Sequence, residues 1–283
     1  MRKTYHVFRY FFPILIGALA LISILGAVTF SLEYDREALT LNMKSPLTVV
    51  FMAFIAVTFI AIVVFAVFAR KLHFERIKKH TRLTSFCASF AALMAFGSFV
   101  NDIIDITVYD KDFSVISLVR TVLSLVVCAY FVVEALPRLI NRKWVEIPLI
   151  IRQTLSVTVI LWAIIGIFSV YFTPGEGLLT TSIIYNGKIV AYTAMALFFV
   201  FEAEREFAKA KYGCLVFSAL FTALISFALS ASLILALLTG QIEINELGFN
   251  IFGHLLTAGI GLFAVSRTYS IFKTLKLILI NSD

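Results

Sequence analysis

SVISLVRTVLSLVVCAYFVVEALPR, at positions 114–138, is an apolar run of membrane-spanning length with Arg120 near one end and Glu134 near the other. Sixty-eight positions later (188 − 120 = 68), SIIYNGKIVAYTAMALFFVFEAERE at 182–206 repeats this plan, with Lys188 in place of Arg120 and a glutamate again near its end. A charge inside a helix that lies in hydrocarbon is costly, so such residues are functional-site hypotheses. The paired charges favour an internal duplication with parallel repeats, although apolar sequences also match by chance.

The composition indicates a membrane protein throughout. The chain has 283 residues, of which 61% are hydrophobic and 14% charged, and its mean hydropathy is +0.98. Apolar runs of about 20 residues span ~30 Å of hydrocarbon. The sequence predicts an all-α polytopic transmembrane bundle, a single integral membrane domain over 1–283, with eight helices arranged as four hairpins. The predicted spans cover about 10–32, 47–69, 83–104, 113–135, 148–171, 180–202, 213–238 and 248–266.

Charge alternates along the connections between these spans. Connections after odd-numbered spans carry no more than two bases, while the amino terminus and the connections after the second, fourth and sixth spans are rich in Lys and Arg. Because successive connections alternate between the two sides of a membrane, the basic segments lie on one side. The acidic connections EYDREALTLNMKSP, DITVYDKD and GQIEINEL lie on the other. By the positive-inside rule we expect a cell-membrane protein with both termini cytoplasmic. The basic segments are therefore not a nucleic-acid site.

The tail at 267–283 has two readings. SIFKTLKLILINSD places lysines three apart among apolar residues, which is typical of a short helix on the cytoplasmic surface. Alternatively the segment extends the last span. In either case Arg267 counts among the cytoplasmic bases.

Three cationic or titratable side chains lie at similar depth in even-numbered spans. Arg120 and Lys188 are about seven to eight residues inside the outer ends of their spans, roughly 10 Å deep at 1.5 Å per residue. His254 is about seven residues into the last span. If these helices are neighbours, the three side chains could face one polar pocket that opens outward. The alternative is separate roles, since Arg and Lys stems can snorkel to the headgroups and a histidine can be hydrogen-bonded in the core.

Polar residues that could complete this site occur at the same level. Asp102 and Asp105 are three apart and thus on one face of the third span, where either could pair with Arg120 or lie in water. Asn186 and Asn250 could supply neutral hydrogen bonds. We predict a ligand-binding set without catalytic residues, listed in full as Arg120, Lys188, His254, Asp102, Asp105, Asn250 and Asn186.

The glutamates allow two interpretations. Fourteen residues separate Arg120 from Glu134, and Lys188 from Glu202, which leaves each pair about 40° apart around its helix. A transport path would use such a stripe. The solvation of helix ends instead favours glutamates that are simply wetted at the interface.

Asn101-Asp102-Ile103-Ile104-Asp105 resembles the N-D-x-x-D element of UbiA-type prenyltransferases. The resemblance implies carboxylates that hold magnesium and a prenyl diphosphate, with Arg120 and Lys188 near the phosphates. In that family the element is cytoplasmic and has a second aspartate-rich partner, whereas here it lies on the acidic side and GQIEINEL is a poor second copy.

The first hairpin, with EYDREALTLNMKSPLTVV after an arginine-flanked span, resembles uncharacterised multi-span membrane proteins of low-GC bacteria. The resemblance implies a bacterial origin and no activity. Cys87, Cys128 and Cys214 form no C-x-x-C pair, so no metal site or disulfide framework is predicted. No cofactor is predicted.

We therefore predict a non-enzymatic protein that recognises a small anionic or amphipathic ligand near the outer leaflet, as a sensor or accessory protein with a partner at the cytoplasmic face. A secondary transporter of a small anionic solute is the alternative, which the repeats favour and the scarcity of helix-breaking residues opposes. An intramembrane transferase based on the N-D-x-x-D element is the third hypothesis.

Overall fold

The computed structural model describes residues 2–35, 40–70, 72, 81–107, 115–139, 148–172, 183–206, 211–240 and 251–280. Its elements are α1 (Arg2–Glu33), β1 (Tyr34–Asp35), β2 (Thr40–Leu41), α2 (Pro46–Ala69), α3 (Arg82–Thr107), α4 (Val115–Leu139), α5 (Leu149–Tyr171), α6 (Ile183–Glu206), α7 (Tyr212–Ser226), a π-helical turn (Phe227–Ala231), α8 (Ser232–Leu238) and α9 (Ile251–Ile280).

The predicted fold class is confirmed. Within the described residues, eight helical segments are long and apolar enough to cross a membrane, so the protein is a polytopic membrane protein. The seventh segment comprises α7, the π-helical turn and α8. Consecutive spans pack as four hairpins. The cytoplasmic position of the termini stays a prediction. The bundle has two ends, the Asp102 end, where α3 ends, and the Glu202 end, where α6 ends.

Local sequence signals explain where the second span begins. The Ser45 side chain accepts a hydrogen bond from the Leu47 backbone N–H, and Pro46 occupies the first helical position. Both are favourable at a helix N-terminus, because proline lacks a donor and the serine oxygen satisfies one. Before this cap, β1 and β2, which have two residues each, pair in antiparallel fashion, and Tyr34 lies opposite Leu41.

The helices form a ring of six with two helices at its side. α3, α4, α5 and α6 pack in chain order, α6 packs on α7, α7 on α9, and α9 on α3. α1 and α2 pack against one another and against the seventh span. Inside the ring, side chains of α4, α6 and α9 meet across its axis, which positions the candidate site.

The helix bounds follow the 68-residue offset. α4 begins at Val115 and α6 at Ile183 (183 − 115 = 68). α3 with α4, and α5 with α6, each form a closely packed hairpin. Equivalent positions of the two sequences therefore lie at equivalent levels of the bundle.

The last span is longer than the predicted 248–266 and agrees with the second of the two readings, in which the tail extends it. It does not end at 266, because α9 continues without a break to Ile280. Ile271 and Leu275 are fully buried, and the Phe272 ring stacks on Tyr5 of α1 at a centroid distance of 5.4 Å. Since this segment packs into the bundle, its first part is not a separate helix on the membrane surface. Arg267 accordingly lies inside the bundle rather than in a cytoplasmic tail.

A π-helical turn interrupts the seventh span at Phe227–Ala231. Single π-helical turns inside α-helices are rare and often occur at functional sites. The sequence shows no Pro or Gly in this turn, which is why the interruption was not predicted. It changes the direction in which the side chains of α8 point relative to α7, and it places Ser230 against α9.

Candidate functional site

A cavity near the Asp102 end lies between α6, the π-helical turn and α9. Lys188 and His254 both line it, so the structure brings together two of the three predicted side chains. The cavity volume is about 10 Å³, which is the space of about one water molecule. The lining residues are Lys188, Ala191, Tyr192, Met195, Leu229, Ser230, Gly253, His254 and Thr257.

Lys188 and His254 are both held in place by neighbours. The Lys188 ammonium lies 4.5 Å from the centre of the Tyr185 ring, one turn earlier on α6, in cation–π geometry. His254 Nδ1 lies 3.2 Å from Ser230 Oγ in the π-helical turn. Lys188 is 3% exposed and His254 is 2% exposed. These burials show that neither side chain is an anchor in the lipid headgroups.

Arg120 occupies a neighbouring position between α3, α4 and α5. Its guanidinium lies 3.8 Å from Asp102 Oδ2 and donates a hydrogen bond of 3.1 Å to Ser169 Oγ. The Thr121 hydroxyl also donates to Asp102, at 3.4 Å. Arg120 is not among the residues that line the cavity, although it lies within electrostatic range of Lys188. Two of the three predicted side chains, Lys188 and His254, therefore share a cavity, and the third, Arg120, forms an ion pair with Asp102 beside it.

The other predicted site residues lie elsewhere. Asp105 accepts a hydrogen bond of 3.3 Å from the Asn101 side chain, one turn earlier on α3. Asn186 is exposed and does not line the cavity. Asn250 lies outside the described residues. Within the N-D-x-x-D element, Asn101 is thus hydrogen-bonded to Asp105, while Asp102 pairs with Arg120.

A layer of aromatic rings lies between the cavity and the Glu202 end of the bundle. Phe131 of α4, Phe198 and Phe199 of α6, and Phe263 of α9 are all fully buried. The rings of Phe131 and Phe263 are 5.2 Å apart and nearly perpendicular, and Phe198 lies 6.2 Å from Phe263. Edge-to-face contacts of this kind are favourable between aromatic rings. The layer fills the axis of the six-helix ring.

Beyond the aromatic layer, four charged residues form a buried network. Arg267 of α9 pairs through its guanidinium with Glu134 of α4, and its Nε lies 2.9 Å from Glu202 Oε1 of α6. Arg205 also pairs with Glu202 Oε1, at 2.6 Å. The Arg267 guanidinium lies 4.7 Å from the Phe263 ring. The two glutamates, which are equivalent under the 68-residue offset, thus pair with one arginine.

This network corrects the prediction for the glutamates. Glu134 is 2% exposed and Glu202 is 1% exposed, so neither is wetted at the interface. The reason is the length of α9: its continuation past 266 carries Arg267 to their level, where the guanidinium compensates both carboxylates. A buried carboxylate needs such a partner, because the desolvation of an isolated charge is very costly.

Sequence reasoning missed two residues of this arrangement. Arg267 was assigned to the tail, and the signal that could have placed it was the apolar spacing of Ile271 and Leu275 after it. Ser230 follows Thr222 and Ser226 at four-residue spacing, which is typical of small polar residues that allow close helix packing. Thr222 does bond across to α6, donating to the Ala194 carbonyl at 2.9 Å, but Ser230 contacts His254. No sequence signal reveals that contact, since it depends on the π-helical turn.

Among the described residues, no group of three or more His, Cys, Asp or Glu side chains is arranged to hold a metal ion. No family of proteins, no curated protein and no solved structure matches this chain.

Proposed function

We propose that this membrane protein binds a small anionic solute in the cavity between Lys188 and His254. The observation that carries the proposal is the convergence of a buried lysine and a buried histidine on one cavity. Charged side chains within a bundle commonly mark ligand or ion pathways. Tyr192 and Thr257 add hydroxyl groups to the lining, while Met195 and Leu229 provide apolar contact for an amphipathic solute.

The size of the cavity limits what it holds in this conformation. A volume of about 10 Å³ has room for a water molecule and no carboxylic acid with a carbon chain. A larger solute therefore requires side chains such as Met195 or Leu229 to move. The π-helical turn, which carries Leu229 and Ser230, is the element of the lining where the helix is already irregular.

A panel of anions of increasing size tests this proposal. The purified protein is titrated with chloride, nitrate, acetate, hexanoate and inorganic phosphate, and the melting temperature is followed by tryptophan fluorescence. A ligand that binds only the folded state raises the melting temperature with its concentration. We expect one or more of these anions to raise it, and Lys188→Gln to abolish the rise. Lys211→Gln, which alters an exposed lysine, is the matched control.

If Lys188→Gln keeps the full anion response, the cavity is not the site. Trp162 fluorescence provides a second measurement of binding, because the centroid of its ring lies 5.4 Å from that of Tyr192, which lines the cavity. In a Trp144→Phe background Trp162 is the remaining tryptophan, and a bound anion is expected to change its emission.

Transport of the bound anion is the second candidate function. The observation that favours it is the order of features along α4, α6 and α9, where a polar region at the Asp102 end is followed by the aromatic layer and then by the buried network. Such a stack on one axis is what a solute path closed at one end requires. Flux of chloride-36 and of labelled acetate into liposomes containing the protein tests this, with Lys188→Gln as the inactive variant.

We also propose that the protein lies in the cell membrane with both termini cytoplasmic, which places the cavity toward the outside. The bias of Lys and Arg toward one set of connections supports this orientation. A fluorescent-protein fusion after Asp283 is expected to be bright, and an alkaline phosphatase fusion at the same place inactive. The reverse result would invert the orientation.

A further inference from the structure

We propose that Glu134, Arg267 and Glu202 form a gate that closes the Glu202 end of the bundle. Access to the cavity from that end opens when α9 moves so that Arg267 separates from both glutamates and Phe263 separates from Phe131 and Phe198. The proposal deepens the proposed function and rests on it, because the gate controls access to the proposed anion site. Its geometry stands independently, on the placement of the three residues.

The three residues close the axis of the bundle from three sides. They come from α4, α9 and α6, whose side chains also form the aromatic layer, and α6 and α9 line the cavity as well. On α6, Lys188 and Glu202 are fourteen residues apart, or about 21 Å at 1.5 Å per residue. A solute that left the cavity along this axis would meet Phe198 and Phe263 first, and then the Arg267 guanidinium.

The contact between α9 and its two partners in the network is made mainly by side chains. α9 packs extensively on α3 and α7, whereas it touches α6 only briefly. Separation of Arg267 from the glutamates therefore does not require two tightly packed helix faces to come apart. A displacement of α9 relative to α4 and α6, of the kind seen in shear and rocking motions, suffices.

Other contacts of the network support both states. When Arg267 moves away, Glu202 keeps Arg205, which contacts the same carboxylate oxygen at 2.6 Å. Arg267 keeps the Phe263 ring, at 4.7 Å, on its own helix. A buried charge that lost every partner would be very costly, and these contacts reduce that cost. Both contacts stay within one helix, so they persist when helices move.

Access to the cavity is measured by cysteine labelling. Cys87, Cys128 and Cys214 are replaced by serine or alanine, and Thr257→Cys places one thiol in the cavity lining. A membrane-impermeant maleimide is added to sealed vesicles of each orientation. In this background we expect labelling from the Asp102 end to be faster than labelling from the Glu202 end.

Arg267→Gln added to this background is expected to raise the labelling rate from the Glu202 end at least about tenfold, because it removes both ion pairs that hold α9, and with it Phe263, against α4 and α6. Arg82→Gln, which alters an exposed arginine at the start of α3 and at the same end, is the matched control and is expected to leave the rate unchanged.

A second variant guards against misfolding. Glu134→Gln, Glu202→Gln and Arg267→Gln together remove the network without leaving two carboxylates that depend on the missing arginine, and the same rise in labelling is expected. If this triple variant is monodisperse and its labelling from the Glu202 end is unchanged, the network is not a gate. A rise that is equal from both ends also overturns the proposal, because it indicates general loosening. The anion response of the melting temperature is measured separately, so failure of the gate and failure of the anion site are distinguishable.

Discussion

Arg267 Nε lies 2.9 Å from Glu202 Oε1, and both residues are at least 97% buried. The same guanidinium pairs with Glu134, which corresponds to Glu202 under the 68-residue offset. One arginine from outside the repeats thus compensates two equivalent carboxylates from within them. This relationship makes the stability of the bundle depend on Arg267 more than on any exposed charge.

Arg267→Ala is expected to lower the free energy of unfolding by about 3–5 kcal/mol, since it leaves two buried carboxylates without their shared partner. Arg82→Ala, at an exposed position, is expected to change it by less than about 0.5 kcal/mol. Thermal or denaturant unfolding in detergent micelles measures both. Equal effects of the two substitutions would show that the buried network contributes nothing specific.

Asp102→Asn is expected to cost less than about 1 kcal/mol in the same measurement. The Asp102–Arg120 pair is separated by 3.8 Å and its side chains are 13% and 22% exposed, so solvent screens part of the attraction. Arg120 also retains its hydrogen bond to Ser169. A loss as large as that of Arg267→Ala would mean that this pair is far better shielded than its geometry indicates.

Gly166→Ala is expected to destabilise the protein by about 1–3 kcal/mol, because over-packing forces neighbours out of place. A methyl group at Gly166 would lie 2.7 Å from the Tyr192 ring, which is buried between α5 and α6 and lines the cavity. The anion response should weaken with it, since the ring must shift.

Gly17→Ala is the control for that substitution, as nothing lies within 4 Å of the added methyl group. Here the same chemical change is expected to stabilise α1 by up to about 1 kcal/mol through helix propensity. If both variants unfold alike, close packing at Gly166 is not what limits stability.

Trp162→Phe is expected to cost about 0.5–1 kcal/mol, the usual value of a hydrogen bond between helices in a membrane. The indole N–H donates to Ser124 Oγ at 3.2 Å and so links α5 to α4, while the phenyl ring preserves most of the apolar contact. Ser124→Ala should give a similar loss, and the double variant should lose little more than either alone. Additive losses would contradict the hydrogen bond.

The positions of the eight spans were predictable from the sequence, because the hydrocarbon thickness requires about 20 apolar residues per span whatever the tertiary packing. The prediction of 113–135 compares with Val115–Leu139 in the structure, and 180–202 with Ile183–Glu206. The last span was the exception. Its polar residues after 266 fit a surface helix by composition, and only the packing of Ile271 against the bundle shows that the helix continues.

The sequence by itself determined how many helices are long and apolar enough to cross a membrane, about where seven of them begin and end, and at which level along their helices Arg120, Lys188 and His254 lie, since that level follows from position along a helix of fixed rise. Only the tertiary structure decided which of these side chains meet. That depends on the rotation of each helix about its axis and on its neighbours, so Lys188 and His254 share a cavity while Arg120 turns toward Asp102 and Ser169.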